Sequence, residues 1–280
     1  MAVNRKRAEG RVALVTGAAR GQGRAHAVRL AEEGADIIAL DLCRQIDTVP
    51  YPLSTPDDLA ETAGLVTATG REVVTAVADV RDLDETRAAI DDAVARLGRL
   101  DIVVANAGVH SGGVPSWELT DEAWQDLVDV NLTGVWITCK AAAPHLIGSG
   151  GGSIVITSST AGLRPYGGIA HYVAAKHALM GLTKTLAQEL GAQGVRVNAV
   201  NPTQVDTDMI QNPLVRRLFV PDVEEPTREQ FAAASQDGML LPTPWLDPSD
   251  VSDAVAFLAS DEARFVTGIG LPVDAGVLAR

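Results

Sequence analysis

The chain has 280 residues, 46% of them hydrophobic, and carries 36 acidic against 23 basic side chains for a formal net charge of −13. That length and apolar content suit one large domain with a substantial core, and the acidic balance argues against nucleic acid as a partner. No apolar run is long enough to span a bilayer, and two cysteines with five scattered histidines supply neither a disulfide framework nor a metal site. The basic start, residues 1–10, is followed by no apolar segment other than the first predicted strand. It does not read as a signal peptide, and a reducing cytoplasm is the expected location.

The first predicted strand, residues 11–17, runs into Gly17, Arg20, Gly21, Gln22 and Gly23, glycines spaced G-x-x-x-G-x-G ahead of a helical pattern. Such glycines permit a tight turn and let backbone N–H groups approach a pyrophosphate at the positive end of the helix. An ordinary glycine-rich turn is the alternative, but a strand before and a helix after are the context a dinucleotide site requires. A second strand, 35–41, ends in Asp41. A carboxylate there accepts hydrogen bonds from an adenosine ribose and repels a 2′-phosphate, which favours NAD over NADP. Arg20 pulls the other way, since a loop arginine can meet a 2′-phosphate. Asp41 is given more weight because Arg20 has other uses, contact with the pyrophosphate among them.

After Asp41 the chain makes a connection longer than usual, an insertion at about 43–56 with three prolines. It reads either as a cover over the adenosine end of a cofactor or as a stiffened surface loop. Further strands at 72–78, 100–105, 153–158, 195–200 and 269–273 alternate with helices beginning near Pro56, Asp82, Asp121, Ala170 and Pro248. Thr55-Pro56-Asp57-Asp58 and Asp247-Pro248-Ser249-Asp250 each place proline at the first helical position with acids in the first turn. The alternation predicts an α/β protein: a single-domain, doubly wound parallel sheet of about seven strands with helices on both faces. Ligands then bind beyond the carboxyl ends of the strands, where Gly17, Asp41, Asp79, Asn106 and Ser159 all fall.

Tyr172 and Lys176 are one helical turn apart and project from the same face. A phenol beside an ammonium has a lowered pKa and can exchange a proton with an alcohol or a carbonyl. Ser159, at the end of a buried strand, is placed to hold the substrate oxygen. Asn131 lies inside a long predicted helix, where asparagine is a poor fit. On the residues alone it reads as a satisfied structural asparagine or as a residue with a role at the site. His171 is expected on another face as a structural or cleft-wall residue.

Residues 206–247 break the alternation. They hold five prolines among Met209, Ile210, Leu214, Phe219, Met239, Leu240, Leu241 and Trp245. A segment of this kind is expected to be a substrate lid lining a pocket for a hydrophobic alcohol, or else a surface packed on a neighbouring subunit. Trp117 is the candidate for the opposite wall.

Taken in order, the motif from Thr16 to Gly23, Asp79-Val80, Asn106-Ala107-Gly108, Asn131, Ser158-Ser159, Tyr172-x-x-x-Lys176 and Asn201-Pro202-Thr203 resemble the short-chain dehydrogenase/reductase family over essentially the whole chain. The resemblance implies a Rossmann fold and a catalytic set of Asn131, Ser159, Tyr172 and Lys176. It implies that Leu42, Asp79 and Val80 face the adenosine, that Asn106, Ala107 and Gly108 line the cofactor cleft, and that Pro202, Thr203, Val205 and Thr207 lie at the nicotinamide. It also implies that Lys176 bonds the nicotinamide ribose. One departure is the threonine at 203, where the family commonly has glycine.

The insertion and the stretch from Asn201 to Met209 resemble a narrower, mycofactocin-associated branch that includes carveol dehydrogenases. That likeness implies a cyclic or terpenoid alcohol, tightly held NAD and an external redox carrier to reoxidise it. Relatives in the family are commonly homo-tetramers, and the apolar stretch 268–278 suits an interface. The expected reaction is hydride transfer between a secondary alcohol and NAD. An NADPH-dependent carbonyl or 3-oxoacyl reductase shares the catalytic set and is the main alternative. A dinucleotide sensor would have lost part of it, and an epimerase would need a larger substrate domain.

Overall fold

The computed structural model describes residues 6–280, and the first part of the basic start, 1–5, lies outside the described residues. Strands β1 (Val12–Thr16), β2 (Asp36–Asp41), β3 (Val73–Val77), β4 (Ile102–Ala105), β5 (Gly152–Thr157), β6 (Val195–Pro202) and β7 (Gly270–Val273) form one sheet. Their order is β3-β2-β1-β4-β5-β6-β7, and every pair is parallel. The chain reverses direction across the sheet between β1 and β4, which opens a crevice beyond the carboxyl ends there.

All five residues of β1 and all four of β4 are buried. Strands covered on both faces read as continuous apolar runs, and that is why these two show no alternation. Leu14, Val103 and Ile154 join one core layer with α3 (Leu83–Leu97), α5 (Gly134–Gly148) and α6 (Ala170–Leu190). Ala13, Val15, Val104 and Val155 join the other with α1 (Gly21–Glu32), α2 (Pro56–Ala68) and α9 (Pro248–Ala259). The fold is thus the doubly wound α/β sheet expected from the alternation, with strand ends moved by one or two residues.

Three regions add to that expectation. The long helix from Asp121 is interrupted: α4 (Asp121–Val128) gives way to a π turn at Asp129–Thr133 before α5 resumes. The insertion leaves β2 through Cys43, whose φ of 52° turns the chain sharply back. Its Ile46, Val49 and Tyr51 are buried in the core layer that holds β2 and β3. Residues 206–247 contain two short helices, α7 (Pro213–Phe219) and α8 (Arg228–Gln236). Both carry caps that a sequence reading can use: Asn212 with proline at the first position, and a capping box from Thr227 to Gln230.

Candidate active site

A single cavity of about 550 Å³ runs along the crevice. It starts at the turn between β1 and α1, where Gly17 has a φ of 66° and a Cβ on Gly23 would lie 1.9 Å from the Gly17 carbonyl. No side chain larger than hydrogen fits at Gly23, because the atom it would meet is backbone. Arg20, the residue before α1, makes no side-chain bond to the first-turn amides, so those N–H groups are left for a ligand. Arg20 instead spans the crevice mouth. Its guanidinium donates to the Pro52 carbonyl in the insertion and, at 3.0 Å, to Asp208.

Gln22, Asp41, Leu42, Asp79 and Val80 line the same end of the cavity. Asp41 is buried, and its carboxylate accepts from the backbone N–H of Ala19 and of Cys43 and from the Ser54 hydroxyl. Oδ1 also takes the Cys43 thiol, weakly, at 3.9 Å, whereas Oδ2 accepts only from Ala19 and keeps room for a ribose hydroxyl. Asp79 is gripped by Arg81, which donates from Nε and Nη2, and by Arg44 at 2.9 Å. Burial pushes the Asp79 carboxyl up, but the two guanidinium partners outweigh it and hold the group below the usual carboxylate range. Arg81 also meets Asp126, which accepts from Thr48, so a charged chain ties the insertion to α4.

Asn106 fastens the middle of the crevice. Its backbone N–H and that of Ala107 donate to the Thr16 hydroxyl, its Nδ2 donates to the Thr16 carbonyl, and its Oδ1 accepts from Thr157. Gly108 packs beneath Asn131, with 3.5 Å between a Cβ there and Asn131 Oδ1. Asn131 sits in the π turn, fully buried, and its carboxamide is spent on Val109. Oδ1 accepts from the Val109 N–H and Nδ2 donates to the Val109 carbonyl. The side chain thus clamps the loop after β4; π turns of this kind recur at functional sites.

Ser159, Tyr172 and Lys176 meet at the inner end of β5, all lining the cavity. Ser159 Oγ accepts from the Ala161 N–H at 3.1 Å, donates to the Pro202 carbonyl at 3.4 Å, and lies near enough to Tyr172 to draw its phenol down. Lys176 is 4% exposed, donates to the Thr157 carbonyl at 2.8 Å, and lies 5.5 Å from the centre of the Tyr172 ring. The expected lowering of Tyr172 by Lys176 is not what this arrangement produces. Burial raises the phenol, and Ser159 is what pulls it down. The ammonium faces the ring and a carbonyl rather than the phenol oxygen, and burial draws Lys176 itself down to about 8.

Pro202, Thr203, Val205 and Thr207 follow β6 along the opposite side of the cavity. The threonine at 203 leaves the backbone regular, since its N–H donates to the Val273 carbonyl. A parallel bridge between Val205 and Leu246 joins the two ends of segment 206–247. From that segment Met209, Ile210, Leu218 and Phe219 reach the cavity. Met239 is buried in the other core layer, Phe231 packs against Phe219 and Trp245, and Leu240 and Leu241 are 59% and 60% exposed. Trp117 is 82% exposed and borders a separate shallow cleft with Tyr166 and Gly168, so it is not the opposite wall. His171 is buried with Nε2 at 2.9 Å from Ser111 Oγ, a structural role.

Two residues that sequence reasoning passed over enter the site. Tyr51 of the insertion is buried, and its hydroxyl accepts from the His110 backbone N–H at 3.1 Å. Burial pushes this phenol up to about 12. His110 itself packs edge-on to Tyr172, 5.1 Å between ring centres. The signals were an aromatic between two prolines, Pro50 and Pro52, and a histidine two residues beyond Gly108.

A family model described as short chain dehydrogenase matches residues 11–215. The (-)-trans-carveol dehydrogenase of Rhodococcus erythropolis is 54% identical over 271 residues, covering 96% of this chain and 98% of that protein. The cis-4-hydroxycyclohexanecarboxylate dehydrogenase of Sinomonas cyclohexanicum is 38% identical, covering 96% and 97%. Among solved structures, carveol dehydrogenase from Mycobacterium avium in complex with NAD superposes with a TM-score of 0.96 at 56% identity, covering 98% of this chain and 99% of that one.

Proposed function

The chain belongs to the short-chain dehydrogenase family, and on that premise we propose that it is an NAD-dependent alcohol dehydrogenase, interconverting a hydrophobic cyclic or terpenoid secondary alcohol and its ketone. The observation that carries this reading is the continuity of one cavity. It joins the free amide end of α1 to Ser159, Tyr172 and Lys176, and then to the apolar side chains of Met209, Ile210, Leu218 and Phe219. NAD is the cofactor, as in the Mycobacterium avium relative, and supplies the hydride acceptor when bound. The residues present fit it: a turn closed to side chains at Gly23, unspent amides after Arg20, and the Asp41 carboxylate where a 2′-phosphate would be repelled.

Ser159 holds the alcohol oxygen, and Tyr172, beside it in the same cavity, takes the hydroxyl proton as the carbinol carbon is oxidised. Lys176, anchored on the Thr157 carbonyl beside Tyr172, is the residue placed to bond the nicotinamide ribose when NAD is bound. Asn131 keeps the loop at Val109 in register with this pair. Because burial raises Tyr172, oxidation rates should climb with pH through the alkaline range, as the phenol loses its proton.

The insertion and segment 206–247 act in this reading as covers, one over the adenosine end and one over the substrate, joined by Arg20. Covers of that kind support tight retention of NAD, reoxidised by an external carrier as in the mycofactocin-associated branch. A homo-tetramer in a reducing cytoplasm completes the reading; Cys43 and Cys139 are both free thiols, and among the described residues no helix is long and apolar enough to cross a membrane. Denaturing protein purified without added cofactor and identifying the nucleotide released tests the reading. One NAD per chain is the expected result. Release of NADP would overturn the cofactor assignment, and an empty protein would remove retention.

A further inference from the structure

Among the described residues three histidines are buried, His26, His110 and His171. His26 Nδ1 bonds Ser252 Oγ at 2.8 Å, and His171 Nε2 bonds Ser111 Oγ. His110 is different. Each of the three has one fully buried ring nitrogen without a partner, His26 Nε2, His110 Nδ1 and His171 Nδ1, but among the described residues only His110 has no hydrogen bond at the other ring nitrogen either. It is also the one of the three that lines the cavity, against the ring of Tyr172. A buried polar group left unpaired is costly, and those that persist are expected to have a reason.

The surrounding polar groups sharpen the contrast. Tyr166 donates to Thr160, Arg164 donates to the Val277 carbonyl, Ser235 donates to the Pro244 carbonyl, and Gln204 accepts from Thr203. These four side chains each have a protein partner, and beside them the wall is the apolar set Met209, Ile210, Leu218 and Phe219. The backbone of His110 is fixed by Tyr51 through its N–H, and its imidazole packs edge-on against the Tyr172 ring.

We propose that His110 is a substrate-binding residue that hydrogen-bonds a second oxygen function on the alcohol, beside the carbinol carbon worked on by Tyr172. This rests on the alcohol dehydrogenase reading and specifies its substrate class as oxygenated cyclic alcohols. Burial lowers the pKa of His110 to about 4, so the ring is neutral at physiological pH. A neutral imidazole has one donor and one acceptor, and it suits either a hydroxyl or a carbonyl on the substrate.

The test compares cyclohexanol with the 1,2-, 1,3- and 1,4-cyclohexanediols, using the full-length protein loaded with NAD. At least one diol should exceed cyclohexanol in kcat/KM by about tenfold or more, because a site with an unpaired polar group discriminates against a ligand lacking its partner. His110→Phe should bring that ratio close to one with NAD affinity retained, and His110→Asn should restore part of it. Calorimetric binding of the same probes reads the preference without turnover and serves equally if His110→Phe does not fold. Equal affinities in the unaltered protein, an unchanged ratio in His110→Phe, or a change in NAD affinity alone would each overturn the proposal. An affinity difference without turnover on any probe would overturn the dehydrogenase reading and leave His110 as a binding residue.

Discussion

The insertion at 43–56 and the segment at 206–247 border the same cavity but are built from different forces. The insertion is pinned by polar and charged contacts: Ser54 on Asp41, Arg44 on Asp79, Thr48 on Asp126, and Gln45 Nε2 on the carbonyls of Ile46 and Val49. It also drives Ile46, Val49 and Tyr51 into the core. Segment 206–247 is tied to β6 at its ends and sends Met239 and Leu246 into a core layer, while Phe219, Phe231 and Trp245 pack on one another and Leu218, Leu240 and Leu241 stay exposed. Segments with few core contacts open at low free energy, and lids are drawn from them. The cofactor side of the crevice is therefore the more firmly fastened of the two, and the substrate side carries more exposed apolar surface.

Several changes would break or sharpen that division. Tyr172→Phe touches neither cover and should retain NAD, yet lose about 10²- to 10⁴-fold in turnover, the usual contribution of a general acid–base group. Steady-state oxidation kinetics across pH check it, and a variant with near-normal rates and an unchanged pH profile would remove Tyr172 as the base. Gly23→Ala attacks the cofactor side directly. A Cβ 1.9 Å from the Gly17 carbonyl has to displace backbone, so NAD affinity should fall by at least about tenfold, with a stability loss of about 1–3 kcal/mol. Equilibrium titration of NAD together with thermal melting separates those two effects.

His26 sits at 0% exposure in α1 with Ser252 of α9 as its partner, beneath the glycine turn. Burial lowers its pKa from 6.5 to about 3, so the unfolded chain binds the proton more readily than the folded one. The stability this supplies is complete above pH 6.5 and is lost as the pH falls toward 3. Between pH 6.5 and about pH 5 the loss should be on the order of 2 kcal/mol, and His26→Gln should flatten that part of the denaturant-stability curve. The smallest effect is expected from Arg20→Ala, which cuts the bridge between the two covers at Asp208 and Pro52. The loss of a partly exposed ion pair is worth about 0–1 kcal/mol, so NAD release should quicken by roughly fivefold or less in stopped-flow exchange. Equal release rates would mean that the covers close independently.

Much of this architecture was legible in the chain. The continuous apolar runs of β1 and β4, the glycine spacing from Gly17 to Gly23, and the caps at Thr55 and Asp247 are local signals, and they marked the strands, the turn and two helix starts. The placement of Ser159, Tyr172 and Lys176 followed from the rule that parallel sheets present their sites at the carboxyl edge. The π turn at Asn131 was less visible, because its hydrogen-bond pattern depends on the carboxamide reaching Val109, 22 residues away in sequence. The direction of the Tyr172 shift was misread for a related reason. Helical spacing puts Lys176 beside the phenol, but it does not tell that the ammonium turns to the Thr157 carbonyl or that burial dominates.

Composition and pattern alone determined the class of the sheet, the helices that alternate with its strands, the glycine turn after β1 and the residue types able to exchange a proton. These depend on backbone sterics and short-range periodicity, which a linear sequence carries in full. Tertiary structure alone decided that Tyr51 reaches His110, that His110 stands unpaired beside Tyr172, and that Arg20 ties the two covers together. Those outcomes depend on which distant segments exclude water from one another, and desolvation is a property of the packed molecule that no residue possesses by itself.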